Sequence, residues 1–256
     1  MEAARMPAAG HEVVLTVDVE WAHPEVLGDV VSALDERGLR ATFFCTHDGI
    51  SVPGHERALH PNFRRHDDAG RGDGAVRAPE TDTEYYRRVV STTHAFCPEA
   101  VGVRSHSLFF DRDLLSVYRA EGLQYESSTF LPLTHGLGPV WLGSDILELP
   151  LYYMDHWDLV DGVTGFDLQA LRLEEPGLKL VDFHPNLVYL NAMTHRDYLD
   201  SKPRYRDPEW LRRSRRRGRG VRTLFHELLD WLAERPPPPV LGELNERART
   251  GLEERA

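Results

Sequence analysis

Acids, imidazoles and one arginine stand at a few short, strand-like points of this 256-residue chain. In TVDVEW, Asp18 and Glu20 are two residues apart, so on an extended strand both carboxylates face the same side of an otherwise apolar segment. Two like charges taken out of water need a cation or strong donors beside them. In GHERALHPNF, His60 precedes Pro61 and Asn62 where a strand gives way to a loop. VRSHS puts Arg104 and His106 on one strand face, and LVDFHPN ends a strongly apolar run with His184. Carboxylates and neutral imidazoles together suit zinc and similar divalent ions, and a carboxylate with a histidine suits proton transfer. Each residue has a structural explanation when taken alone: Asp18 and Glu20 could cap the following helix, and a single histidine is commonly structural. Four strand ends carrying an acid pair, a histidine, an arginine with a histidine, and a further histidine are hard to explain as core filling, and they point to an enzyme.

Those positions need a scaffold that gathers strand ends. EVVLTVDVEW reads as a strand, because Val, Leu and Thr dominate it without a breaker. Pro24 opens a helix in which Val26, Leu27, Val30, Val31 and Leu34 recur at helical spacing before Gly38 stops it. RATFFCT is the next strand, completing the βαβ unit of a parallel sheet. The alternation continues through a short segment ending at His60, a Gly- and Asp-rich loop from Arg64 to Ala78, and a helix spanning Thr81 to Ala95. AVGVRSH, LQYESST, DILELPLY and LKLVDFHP follow as strands, and Asp111 caps a helix running to Glu121. A last amphipathic helix carries Leu224, Phe225, Leu228, Leu229 and Leu232 and ends at Pro236–Pro239. The expected architecture is one α/β domain, a (β/α) barrel over residues 11–235, with a flexible stretch at 1–10 and a Pro-rich linker and C-terminal tail at 236–256. A parallel barrel builds its active site at the C-terminal strand ends, where the residues above fall.

Composition narrows the partners. With 41 acidic against 30 basic residues the net charge is -11, which argues against a dedicated nucleic-acid binder and against an anionic membrane surface. No window approaches the roughly 20 apolar residues of a membrane span. The opening MEAARMPAAG lacks the apolar core of a secretory signal, so a cytoplasmic location is expected. Cys45 and Cys97 make no disulfide framework. Between Arg212 and Arg222, RRSRRRGRGVR concentrates positive charge, either as a solvated loop or as a phosphate contact. Only Lys179 and Lys202 are lysines.

Taken in order, TVDVEW, RATFFCT, GHERALHPNF, GVRSH and LVDFH resemble the motifs of the polysaccharide deacetylases, carbohydrate esterase family 4, over residues 12–235. The likeness is greater to divergent members found with surface-polysaccharide or sugar-antibiotic biosynthesis than to secreted chitin deacetylases. It implies a distorted, incomplete (β/α) barrel and a metal-dependent removal of N-acetyl groups from amino sugars, with zinc the expected ion. By the resemblance, Asp18 matches the general base, Glu20 the metal-binding acid, His60 the first metal histidine, Arg104 the arginine that tunes Asp18, and His184 the general acid. The family's second metal histidine falls at Arg64, and an arginine offers no lone pair to a cation. His66 is therefore the expected third ligand, with His106 next in line and otherwise facing the substrate together with Trp21 and Asn62. VRSHS also lacks the proline and tyrosine usual after the arginine. Trp141, Trp157 and Tyr153 are further candidates for stacking on a sugar. The implied substrate is a small or carrier-linked N-acetyl amino sugar. Two other readings stay open: a carbohydrate-binding homologue that no longer hydrolyses, suggested by Arg64, and a metal-dependent phosphoesterase, suggested by the arginine run.

Overall fold

A computed structural model describes residues 11–64 and 80–253, so His66 and most of the Gly- and Asp-rich loop lie outside the described residues. The first strand, β1 (Glu12–Glu20), is buried along nearly its whole length. Val13, Leu15, Val17 and Val19 join the core beneath the helices, while Val14 joins a second apolar cluster on the opposite face. Helix α1 (Pro24–Asp35) starts at Pro24, with the His23 ring accepting from the Glu25 N–H, and Gly38 takes the left-handed φ of 63° that turns the chain back. Strands β2 (Thr42–Cys45) and β3 (Glu56–Leu59) follow. A Thr81/Glu84 capping box opens α2 (Asp82–His94), and Asp111 caps α3 (Arg112–Ala120) after β4 (Gly102–Val103). Then come β5 (Tyr125–Glu126), β6 (Val140–Trp141), β7 (Leu147–Glu148), β8 (Leu151–Met154), α4 (Asp155–Asp161) and β9 (Leu178–Phe183). The chain continues through α5 (Pro185–Leu190), α6 (His195–Ser201), α7 (Pro208–Ser214), α8 (Val221–Ala233) and α9 (Leu241–Glu253).

Among the described residues these strands form one nine-stranded sheet in the order β6-β7-β5-β4-β3-β2-β1-β9-β8, parallel except for the β6/β7 pair. DILELPLY, expected as one strand, divides at Pro150: Glu148 pairs with β5, whereas Leu151 pairs with β9 near the other end of the strand order. So short a link between distant strands requires the sheet to curl on itself. The seam is bridged where Phe130 pairs with Leu151 and the Leu131 N–H donates to the Leu151 carbonyl at 2.9 Å. The result is the distorted, incomplete barrel that the motifs imply.

The segment read as a linker and tail instead contributes to the packing. Leu241, Leu244 and Ala248 of α9 are buried with Val14, Phe44, Ala58, Tyr125, Leu178 and Leu180. The N–H groups of Leu241 and Gly242 donate to Thr42 Oγ1 and Glu56 Oε2, both at 3.0 Å, so a half-buried carboxylate sits at the positive end of the helix. A Cβ at Gly242 would come within 2.7 Å of that carboxylate, so a larger residue there would require the Glu56 side chain to shift.

Candidate metal centre and catalytic network

The site forms where β1, β3, β4 and β9 end. Simple alternation would aim Asp18 and Glu20 along the same direction, but the pairing of β1 with β2 shifts register between them, and Glu20 adopts a left-handed φ of 53°. A glutamate in that region is uncommon, and such backbone tends to persist where surrounding structure holds it. Here the Thr46 hydroxyl donates to the Glu20 carbonyl. The bulge separates the two acids: Asp18 meets an arginine and Glu20 meets two imidazoles.

His60 is fully buried just past β3. Its Nδ1 is 2.8 Å from the Arg104 carbonyl, and since a carbonyl only accepts, Nδ1 carries a proton; burial favours the neutral ring, but the Asp18 and Glu20 carboxylates raise His60 above its ordinary value, so Nε2 is the nitrogen that a cation would bind in exchange for a proton. That Nε2 has no hydrogen-bond partner and lies 3.5 Å from Glu20 Oε1 and 3.7 Å from Asp18 Oδ2. His106, in a short 3₁₀ turn after β4, brings its Nδ1 to 3.0 Å from the same Glu20 oxygen. One donor atom from each of Glu20, His60 and His106 lies within 4.8 Å of the others. Burial alone would raise the Glu20 carboxyl, but the two histidines outweigh it and hold Glu20 well below the usual carboxylate range.

Arg104, fully buried, occupies the centre of the network. Its Nη1 donates to Asp18 at 2.7 Å, to Asp182 at 2.6 Å and to the Thr16 hydroxyl at 3.0 Å. Its remaining donors reach the Ser127 carbonyl and hydroxyl, and its plane lies 4.0 Å from the Phe44 ring. Burial favours a protonated Asp18, yet the Arg104 guanidinium, with His60 and His184, holds its carboxyl below the ordinary value. Asp182 moves the other way, pushed up to about 7 by burial and by the charge on Asp18. Asp18, Asp182 and His184 also gather three potential ligand atoms, but there the guanidinium already serves as the cation.

His184 ends β9 and is held by Asp155 at the start of α4: the backbone N–H donates to Oδ2 at 2.9 Å and the ring Nδ1 to Oδ1 at 2.6 Å. Burial favours the neutral ring, but the Asp155 carboxylate dominates, with help from Asp182 and Asp18, and raises His184 well above the usual histidine range.

Asp18, Glu20, His106 and His184 open onto one pocket of about 500 Å³, whose wall also includes Trp21, Arg64, Ser107, Met154, His156, Tyr198, Lys202 and Tyr205. Asn62, expected at the substrate, is not among the lining residues; its side-chain oxygen accepts from the Arg64 N–H at 3.0 Å. Nor are Tyr153, Trp157 and Trp141, which pack elsewhere: Tyr153 donates to Asp158, Trp157 meets Phe130 edge-on, and Trp141 lies under Arg249. Sequence reasoning missed Asp155 and Asp182. Asp182 carried a signal, since it shares a strand face with His184 two residues on. The arginine run is largely committed to protein partners: Arg216 pairs with Asp197, Arg219 with Glu227 and Arg222 with Asp29, and Arg215 donates to the Tyr189 carbonyl.

A curled, mostly parallel nine-stranded half-barrel with these residues at its C-terminal rim is the architecture of the polysaccharide deacetylases. The chain belongs to their WbmS-like family, whose profile matches residues 15–202. A structure from Bordetella bronchiseptica, assigned as a polysaccharide deacetylase involved in O-antigen biosynthesis, is 27% identical, with a TM-score of 0.73 over 87% of this chain and 91% of that one. A second, from Mycobacterium smegmatis and likewise assigned as a polysaccharide deacetylase, has a TM-score of 0.57 at 15% identity, covering 97% and 93% of the two chains. No curated protein sequence matches the chain. No described helix is long and apolar enough to cross a membrane.

Proposed function

We propose that this chain is a metal-dependent hydrolase that removes the N-acetyl group of a small or carrier-linked amino sugar. The observation that carries this reading is that the Glu20–His60–His106 cluster, the Arg104-bound Asp18 and the Asp155-bound His184 meet at one pocket. The donor set fits a divalent ion such as zinc, because one carboxylate and two imidazoles give the three protein ligands of a catalytic site with a position left open. The buried, unpartnered His60 Nε2 supports the same assignment. When bound there, such an ion supplies polarisation of the amide carbonyl and acidification of water.

Asp18, ionised and oriented by Arg104, takes the proton of the attacking water. His184, kept protonated by Asp155, gives a proton to the departing amine, which is otherwise too basic to leave. Trp21 and His106 form one wall against which the sugar is positioned; their rings meet edge-on at 5.3 Å. The assignment of the Bordetella relative to O-antigen biosynthesis supports a surface-polysaccharide intermediate as the substrate class. Arg64 no longer argues for a non-hydrolysing homologue once His106 can serve as the third donor, and the ion-paired arginine run weakens the phosphoesterase reading.

Metal content by mass spectrometry and acetate release from a panel of N-acetyl sugars test the reading together. Asp18→Asn is expected to lose about a hundredfold in rate while retaining metal. His106→Ala is expected to lose its metal on dialysis, and His66→Ala to keep it; the reverse pattern would transfer the ligand role to His66. Full activity of the metal-stripped chain would refute the mechanism.

A further inference from the structure

Two cations on the pocket wall have no task in amide hydrolysis. Arg64, in the loop after β3, and Lys202, in the turn after α6, both line the pocket, although the chain as a whole carries a net charge of -11. Several arginines elsewhere are tied to acids, as Arg37 is to Asp230, Arg57 to Glu99 and Arg222 to Asp29. Among the described residues neither Arg64 nor Lys202 has a carboxylate at ion-pair distance. Arg64 Nη2 donates instead to the Ser107 hydroxyl at 2.7 Å, and the Lys202 ammonium lies 4.5 Å from the centre of the Tyr198 ring. Ser107 and Tyr198 are themselves pocket residues, so both cations are anchored at the cavity. The fold brings them there from segments far apart in sequence.

The deeper wall carries the carboxylates of Asp18 and Glu20. A negatively charged ligand entering such a site needs compensating charge where its anionic group comes to rest, whereas a neutral sugar does not. Arg64 offers a planar fork of donors and Lys202 a mobile point charge, a combination suited to phosphate or carboxylate oxygens. Resting on the deacetylase reading, we propose that the pocket selects an N-acetylated amino sugar that itself bears an anionic group, held by Lys202 and Arg64. Arg64, at the position where the resemblance places a metal histidine, then recognises substrate.

The test compares N-acetylglucosamine with its 1-phosphate and with the corresponding N-acetylated uronic acid, using acetate release for KM and calorimetry for affinity. Wild-type protein, Lys202→Met and Arg64→Met are measured in parallel. The anionic sugars are expected to show a KM and a Kd lower by about tenfold than the neutral one, and each variant to lose most of that preference. Comparison of the phosphate and carboxylate arms identifies the anionic group. Equal affinity for neutral and anionic sugars in the wild type, or an undiminished preference in both variants, would overturn the proposal. If no sugar were hydrolysed, the deacetylase reading would fail, while the calorimetric preference and its loss in the variants would still decide this one.

Discussion

Replacing Arg104 by methionine removes the cation that two buried carboxylates share. The side chains of Asp18 and Asp182 are only 5% and 0% exposed, and Arg104 approaches them at 2.7 and 2.6 Å. Breaking a buried ion pair by deleting one partner costs about 3–5 kcal/mol, a large part of the 5–15 kcal/mol that typically holds a domain together. The cost depends on pH with a definite sign. Without the guanidinium both carboxyls have folded pKa values raised above the unfolded one, so the penalty is absent below the unfolded pKa and grows as pH rises through the shifted range. In the parent, the lowered Asp18 adds stability that is present above its unfolded value of 3.8 and lost below it, so both effects reduce the gap at low pH. Urea unfolding followed by circular dichroism should show the full deficit at about pH 7.5 and a much smaller one at about pH 4. Adding Asp182→Asn to Arg104→Met leaves one stranded carboxylate instead of two, and it should recover part of the loss even if the single variant folds poorly. A deficit below about 1 kcal/mol at neutral pH, or one that does not change with pH, would show that Arg104 does not neutralise this pair.

Asp155→Asn removes the carboxylate that keeps His184 protonated, so the alkaline limb of the pH–rate profile should move to lower pH while metal content stays unchanged; an unmoved limb would exclude His184 as the acid that profile reports. Glu126 and Glu148 face each other on β5 and β7, 1% and 3% exposed, and burial together with Glu126 pushes Glu148 up to about 10. A raised acid costs stability only above its unfolded pKa, so Glu148→Gln should stabilise the fold by about 1–3 kcal/mol near pH 8 and by little near pH 4, read from urea midpoints. Equal midpoints at the two pH values would refute the burial argument.

The strand ends were legible because they are local: an apolar run that finishes in an acid, a histidine or an arginine declares both the element and its polar tip. Neighbourhood across the sheet was less legible. Chain proximity to His60 favours His66 over His106 as a ligand, whereas parallel pairing sets Leu59 of β3 against Val103 of β4, so that the residues just beyond them meet at one rim. The sequence of helix α9 reads as a linker and tail for a related reason. Among the described residues its buried apolar face is Leu241, Leu244 and Ala248, a stripe too narrow to mark a core helix until the open barrel end that it covers is known.

The spacing of Asp18 and Glu20 shows where pattern reasoning succeeds and then stops. It places both acids where burial demands compensating charge, but strand alternation would send both toward the same compensating group. The register shift and left-handed Glu20 divide the burden, giving Asp18 to a guanidinium that cannot lose its proton and Glu20 to imidazoles that can. That division matters chemically. A permanent cation keeps Asp18 ionised, as the proposed base must be, whereas imidazoles can release their protons and offer lone pairs beside Glu20 to a divalent ion. The single residue Val19, buried between the two acids, thus separates the proposed proton-transfer site from the proposed metal-binding one.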